Sequence, residues 1–139
     1  MVSKPSQSFE LRIRNAEGVP IIQLGGSVTD NALKAIKATL EGLAKAGHYH
    51  VVLNFERVQA ANWGFLDALA GSVRNIRSHY GTVDLVATQD RIGQLARIES
   101  LARLFRFCGS EGQAISRIKG LVRQPDALSH TNAKLLENS

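Results

Sequence analysis

The sequence predicts an α/β fold with a mostly parallel sheet, an N-terminal antiparallel hairpin strand and about four helices. Three observations lead to the α/β class. Short apolar runs of strand character alternate with longer segments of helical periodicity, an order that implies right-handed crossovers. The first two runs are parted only by a turn signal, so they form a hairpin. The central run, Val51-Val52-Leu53-Asn54-Phe55, is apolar with a single break, which suits a strand covered on both faces.

Each element has its own reason. Phe9, Leu11 and Ile13 alternate with Glu10, Arg12 and Arg14, as in a half-buried strand. Asn15 to Gly18 reads as a turn, and Pro20 to Leu24 as a second strand that Gly25-Gly26-Ser27 ends. Thr29, Asp30 or Asn31 can cap a first helix. Its inward face is Leu33, Ile36, Leu40 and Leu43, and Lys34, Lys37, Glu41 and Lys45 mark the other side. Gly47 is placed to end that helix in a left-handed conformation. His48, Tyr49 and His50 then lead into the central strand.

Asn62 is the expected N-cap of a second helix, with Asp67 in its first turn, where a negative charge suits the helix dipole. Leu66, Leu69, Val73 and Ile76 recur at helical spacing, and Gly81 reads as the stop. Val83, Leu85 and Val86 make a strand. Asp90 is the expected cap of a third helix, with Ile92, Leu95 and Ile98 facing in. Leu104, Phe105 and Phe107 read as the last strand. Ser110 and Gln113 have capping-box spacing for a fourth helix with Ala114, Ile115, Ile118 and Leu121 inward. The expected folded unit is residues 8–122, between flexible ends at 1–7 and 123–139.

The totals narrow the function. A chain of 139 residues is long enough for a core without staples. The single Cys108 rules out an intramolecular disulfide and fits a reducing compartment. No apolar run approaches the roughly 20 residues of a membrane helix, and Met1-Val2-Ser3-Lys4-Pro5 is followed by no apolar signal core. A cytoplasmic protein without membrane insertion is expected. The net charge of +5 is spread along the chain without a docking motif, so nucleic acid is not an expected partner.

Four passages resemble the STAS domain of bacterial anti-sigma factor antagonists. They are Gly18 to Gly26, Gly47 to Val58 (with Asn54 where the family usually has Asp), Gly81 to Val86, and Arg91 to Phe107 ending in Leu104-Phe105. The resemblance implies a small cytoplasmic binding protein without catalytic activity or cofactor. Such a protein binds a kinase-type anti-sigma factor and frees a sigma factor. In the family cycle the kinase phosphorylates a serine on the antagonist, and a phosphatase reverses this. The family loop "D-S-S-G-L-G" falls here on Asn62, Trp63, Gly64, Phe65, Leu66 and Asp67. The acceptor position is therefore Gly64, and residues 57–71 contain no Ser, Thr or Tyr. A phosphate brings nearly two negative charges and three strong acceptors, and this loop has no hydroxyl to carry it. Ser27 and Thr29, just before the first helix, are the nearest substitute acceptors at the same rim, though such residues are mostly simple caps.

The expected partner-binding residues are Asn62, Trp63, Gly64, Phe65, Asp67 and Arg74, with Trp63 the amphipathic anchor that interfaces favour. Other residues carry less. His48 and His50 share one side of a strand, but two ligands do not close a metal site, so no metal is expected. Cys108 reads as a buried small apolar residue. Gly25-Gly26-Ser27 lacks the rest of a nucleotide loop. Arg91, Arg97, Arg103 and Arg106 are candidates for a basic flank facing an acidic partner. The resemblance leaves three roles open: an antagonist in a partner-switching system, a self-associating part of a signalling scaffold, or a subunit of a lipid or small-molecule transport system.

Overall fold

The computed structural model describes residues 9–60 and 63–121. The expected flexible ends and the expected cap Asn62 lie outside them. Strand β1 (Phe9–Ala16) turns into β2 (Val19–Ser27). Helix α1 (Asp30–Lys45) and strand β3 (His50–Ala60) follow. A 3-10 segment (Trp63–Leu69) runs into α2 (Ala70–Ser78), then β4 (Thr82–Val86). The chain continues through α3 (Gln89–Leu95), α4 (Glu99–Leu104), β5 (Arg106–Cys108) and α5 (111–121). The five strands lie in sequence order, with β1 antiparallel to β2 and every later pair parallel. Successive crossovers of one hand put α1 to α4 on one face of such a sheet. The chain after β5 returns over the other face as α5.

The hairpin turn is Glu17-Gly18, both at positive φ (55° and 86°), which matches the twist of the flanking strands. Asn15 Oδ1 accepts the Gly18 N–H at 3.0 Å. Strand β2 does not end at Leu24. It runs on to Ser27, because Gly26 takes φ +78° and the register with β3 shifts between Gln23 and Gly25. Asn54 Oδ1 takes the Glu56 N–H at 2.8 Å at that shift.

On α1 the buried stripe is Ala32, Ile36, Leu40 and Ala44, and the expected Leu33 and Leu43 flank it half-buried. Thr29 is the cap: its Oγ1 accepts the Ala32 N–H at 3.4 Å. The helix ends as expected at Gly47, with His48 N–H on Leu43 O and Gly47 N–H on Ala44 O, the paired closure of a left-handed C-terminus.

The stop after α2 differs. The same closure is made by Gly81 N–H on Ile76 O and Tyr80 N–H on Arg77 O, so Tyr80, not Gly81, holds the positive φ of 63°. Gly81 serves close packing instead. A Cβ there would stand 1.9 Å from Tyr49 O and 2.8 Å from Ile76 Cγ2.

Two further expectations are corrected. Thr88 rather than Asp90 caps the third helix, its Oγ1 accepting the Arg91 N–H at 3.3 Å, and Asp90 lies in the first turn. That helix stops at Leu95. Ile98 is extended backbone, 42% exposed, and it opens α4, which takes Leu104 out of the last strand. The α-helices among the described residues are therefore five rather than four.

Candidate functional site

The carboxyl ends of β2 and β3 make one rim, because Ser27 pairs with Ala60. The loop into α1 and the loop into the 3-10 segment thus leave the sheet side by side, as the sequence reading required. Val28 packs on the core, Ser27 is half-buried, and the Thr29 hydroxyl is engaged as the cap.

The second helix does not begin as α-helix. Trp63–Leu69, including Gly64, is a 3-10 segment, and its Leu66 and Leu69 are both fully buried. Residues three apart eclipse in a 3-10 helix, so this pair pins the segment to the core. From Leu69 onward the buried positions Val73 and Ile76 follow α-helical spacing. Leu69 offers no side-chain cap to α2. Asp67 is exposed and accepts from Ser100 Oγ at 3.2 Å, which ties the segment to α4. Arg74 is exposed on α2. Gly64, Asp67 and Arg74 therefore belong to one continuous 3-10/α2 unit beside the Ser27–Asp30 loop. Asn62 and the side chains of Trp63 and Phe65 lie outside the described residues. Ser72 is half-buried in a hollow of about 260 Å³ between α1 and α2, which Lys37, Glu41 and Asn75 also line.

The remaining candidates are elsewhere. His48 and His50 line a cavity of about 510 Å³ with Glu17, Pro20 and Ile118, at the opposite, amino end of the parallel strands. The His50 Nδ1 lies 3.1 Å from Thr82 Oγ1, and burial pushes its imidazole below the usual range. Among the described residues no three His, Cys, Asp or Glu side chains gather as a metal site.

The basic flank does not assemble as one surface. Arg103 pairs with Glu99 at 2.7 Å on the outside of α4, whereas Arg106 lies across the sheet against Asp84. Asp84 is fully buried on β4 and escaped the sequence reading, which took only its apolar neighbours as the strand. Its Oδ1 is 3.3 Å from Arg106 Nε without an aligned hydrogen bond, and its Oδ2 faces Arg106 Nη2 at 3.4 Å and Cys108 Sγ at 3.6 Å. Burial raises the Asp84 carboxyl above its usual range despite Arg106. Burial, then Asp84, also pushes the Cys108 thiol up, against the thiolate form. A single acidic residue inside the apolar run Val83–Val86 was the signal for this cluster. On the same face Glu111 accepts from Arg14 Nη2 and Asn54 Nδ2, each at 2.5 Å.

No helix among the described residues is long and apolar enough to cross a membrane. The family model of the STAS domain matches residues 10–114. No curated protein matches the chain by sequence. Among solved structures, an anti-sigma factor antagonist from Mycobacterium paratuberculosis superposes with a TM-score of 0.69 at 15% identity, covering 85% of this chain and 99% of that one. The antagonist SpoIIAA in its unphosphorylated form gives 0.62 at 19% identity, covering 81% and 99%. Phosphorylated SpoIIAA of Bacillus gives 0.59 at 20% identity, covering 80% and 99%. At these identities the likeness is one of fold.

Proposed function

Because the chain belongs to the STAS domain family, we propose that it is a non-enzymatic interaction module of the anti-sigma antagonist kind. It binds a kinase-type anti-sigma factor, or a related regulator, in a partner-switching system in the cytoplasm. Its contact surface is the Asn62–Leu66 stretch, the outward side chains Asp67 and Arg74, and the Ser27–Asp30 loop. The observation that supports this reading is the Ser27–Ala60 pairing, which brings the carboxyl ends of β2 and β3 to one rim; Arg74 is exposed on the helix that follows. Gly64 has no hydroxyl, so binding at this loop escapes the phosphate that would otherwise oppose it. The Thr29 hydroxyl is already spent on capping α1, which counts against it as a substitute acceptor.

The test is capture of partners from native-host lysate by tagged protein, with and without ATP, and mass spectrometry of bait and bound proteins. The expected result is a kinase-type regulator retained in the presence of ATP over an unmodified bait. Release by ATP with phosphate on Ser27 or Thr29 would move the switch to the neighbouring loop. Recovery of transporter subunits, or of no regulator, would overturn the reading. With the partner in hand, Arg74→Glu should weaken binding about tenfold or more while leaving the melting temperature unchanged. Unchanged affinity would place the interface elsewhere.

A further inference from the structure

The outer edge of β1 ends the sheet, and among the described residues no strand pairs with it. The strand is eight residues long, without proline or glycine, and its register with β2 is unbroken from Phe9–Gly26 to Ala16–Val19. Edges of this length are normally protected by a proline, a bulge or charged side chains; β1 has no proline or bulge, and its charges, Glu10, Arg12 and Arg14, are of both signs and can pair across a symmetric contact. Phe9 and Leu11 are half-buried, but Ile13, which the sequence placed in the core, is 55% exposed at this edge.

The turn decides which backbone groups face outward. With a two-residue turn, Ala16 and Val19 are the first hydrogen-bonded pair, and bonded and non-bonded pairs then alternate. Residues 10, 12, 14 and 16 therefore direct N–H and C=O to β2. Pro20, which has no N–H, sits opposite Asn15 at a non-bonded pair, as this alternation requires. Phe9, Leu11, Ile13 and Asn15 turn theirs to the open edge.

We propose that this edge takes a second copy of the chain, β1 against β1, antiparallel with Leu11 opposite itself. That register sets Phe9 opposite Ile13 on both sides of the axis, so the outward backbone groups of these residues meet and Ile13 is covered. On the other face of the strand it sets Glu10 opposite Arg12, twice. The neighbouring registers set like charges together: Arg12 against Arg12 when centred on Arg12, Arg12 against Arg14 when centred on Ile13, and Glu10 against Glu10 when centred on Glu10. Like charges directly opposite are destabilising, so the Leu11-centred register is selected. Arg14 is already held by Glu111 and is not needed. Glu10 and Arg12 are both exposed, which leaves them available across the axis.

The test is sedimentation equilibrium of the full chain over a wide concentration range. A reversible monomer–dimer equilibrium is expected. Arg12→Glu and Glu10→Arg should each weaken association about tenfold or more, since each turns two facing pairs into like charges. The double exchange Glu10→Arg/Arg12→Glu restores the facing pairs and should restore dimerisation. Ile13→Lys should abolish it. All three positions are exposed, and thermal melts should confirm that each variant folds. Arg74→Glu should leave the dimer intact, so this inference and the rim reading fail separately. A monomer at every concentration, a dimer indifferent to both single reversals, or a double exchange that fails to restore association would overturn the proposal.

Discussion

The face of the sheet under α1 to α4 is closed by apolar side chains, from Ile22 and Leu24 through Leu40, Leu66 and Ile76 to Phe105. The face under α5 has a smaller apolar cluster of Val19, Ile21, Val52, Val86, Ala114 and Ile118. It also holds Asn54 and Asp84, the buried polar residues among those described. The first face depends on shape, and its weak points should be steric and indifferent to pH. The second depends on how charges are matched beneath a single helix, and its weak points should move with pH. This difference can be broken from either side.

The largest expected effect is on the first face. Gly81→Ala adds a Cβ that must stand 1.9 Å from the Tyr49 carbonyl and 2.8 Å from Ile76 Cγ2. The Tyr49 oxygen is fixed, because it already accepts the Thr82 N–H at 2.8 Å. The cost should be about 3 kcal/mol or more. Urea unfolding at pH 5 and pH 8 should show the same loss, and a loss confined to one pH would mean that the site is not steric.

Arg106→Met attacks the second face. It leaves the Asp84 carboxylate, fully buried, without its ion-pair partner, with the weaker field of Arg117 remaining. About 2 kcal/mol should be lost at pH 7, less than for a fully buried pair because the Arg106 side chain is 30% exposed. The pH sign follows from linkage. Burial already holds the Asp84 carboxyl above its unfolded value, and removing Arg106 raises it further. A raised carboxyl contributes stability below the unfolded pKa and loses it as pH rises through the folded one. The variant should therefore approach the parent as pH falls. His50 moves in the same direction, because Arg106 adds to the burial that lowers its imidazole, so parent and variant are compared in a His50→Gln background to isolate Asp84. A loss independent of pH would sink the electrostatic account.

The first face was also the more legible one in the sequence. Leu66, Leu69, Val73 and Ile76 announce themselves by spacing, and apolar burial follows from periodicity alone. Its misreadings were local. Gly81 reads as the stop, and its N–H does close the helix, but the left-handed residue is Tyr80, and the glycine is also needed for close contact with Tyr49, distant in sequence. Ile98 continued a helical pattern that the chain breaks to begin α4. The second face was hardly legible. Asp84 and Arg106 are 22 residues apart, and Asn54 and Glu111 are 57 apart, so only the sheet register and the return of α5 bring them together. What was legible of the rim is the parallel pairing that brings Ser27 beside Ala60. Its local form was not, since 3-10 and α-helical turns share the three-residue spacing of Leu66 and Leu69.

The smallest effect is the most specific to this chain. Asn54 stands where the resembling family usually has Asp, and here its Nδ2 donates to Glu111 at 2.5 Å and to Glu56 at 3.4 Å. An aspartate would keep the Oδ1 acceptor that takes the Glu56 N–H, but would set three carboxylates around one buried position. Asn54→Asp should therefore cost about 1 to 2 kcal/mol at pH 7. The new carboxyl would be raised in the folded state, so the loss should fade as pH falls toward the unfolded carboxylate range. Glu111→Gln should rescue part of the Asn54→Asp loss, because it removes one of the facing negative charges; Arg14 and Asn54 share the Oε2 of Glu111, so the amide can serve only one of the two positions. Urea midpoints of the two single variants and the double variant at pH 7 would measure this coupling. Additive losses would mean that Asn54 and Glu111 are neighbours without dependence, and that the charges of the second face are not matched through this pair.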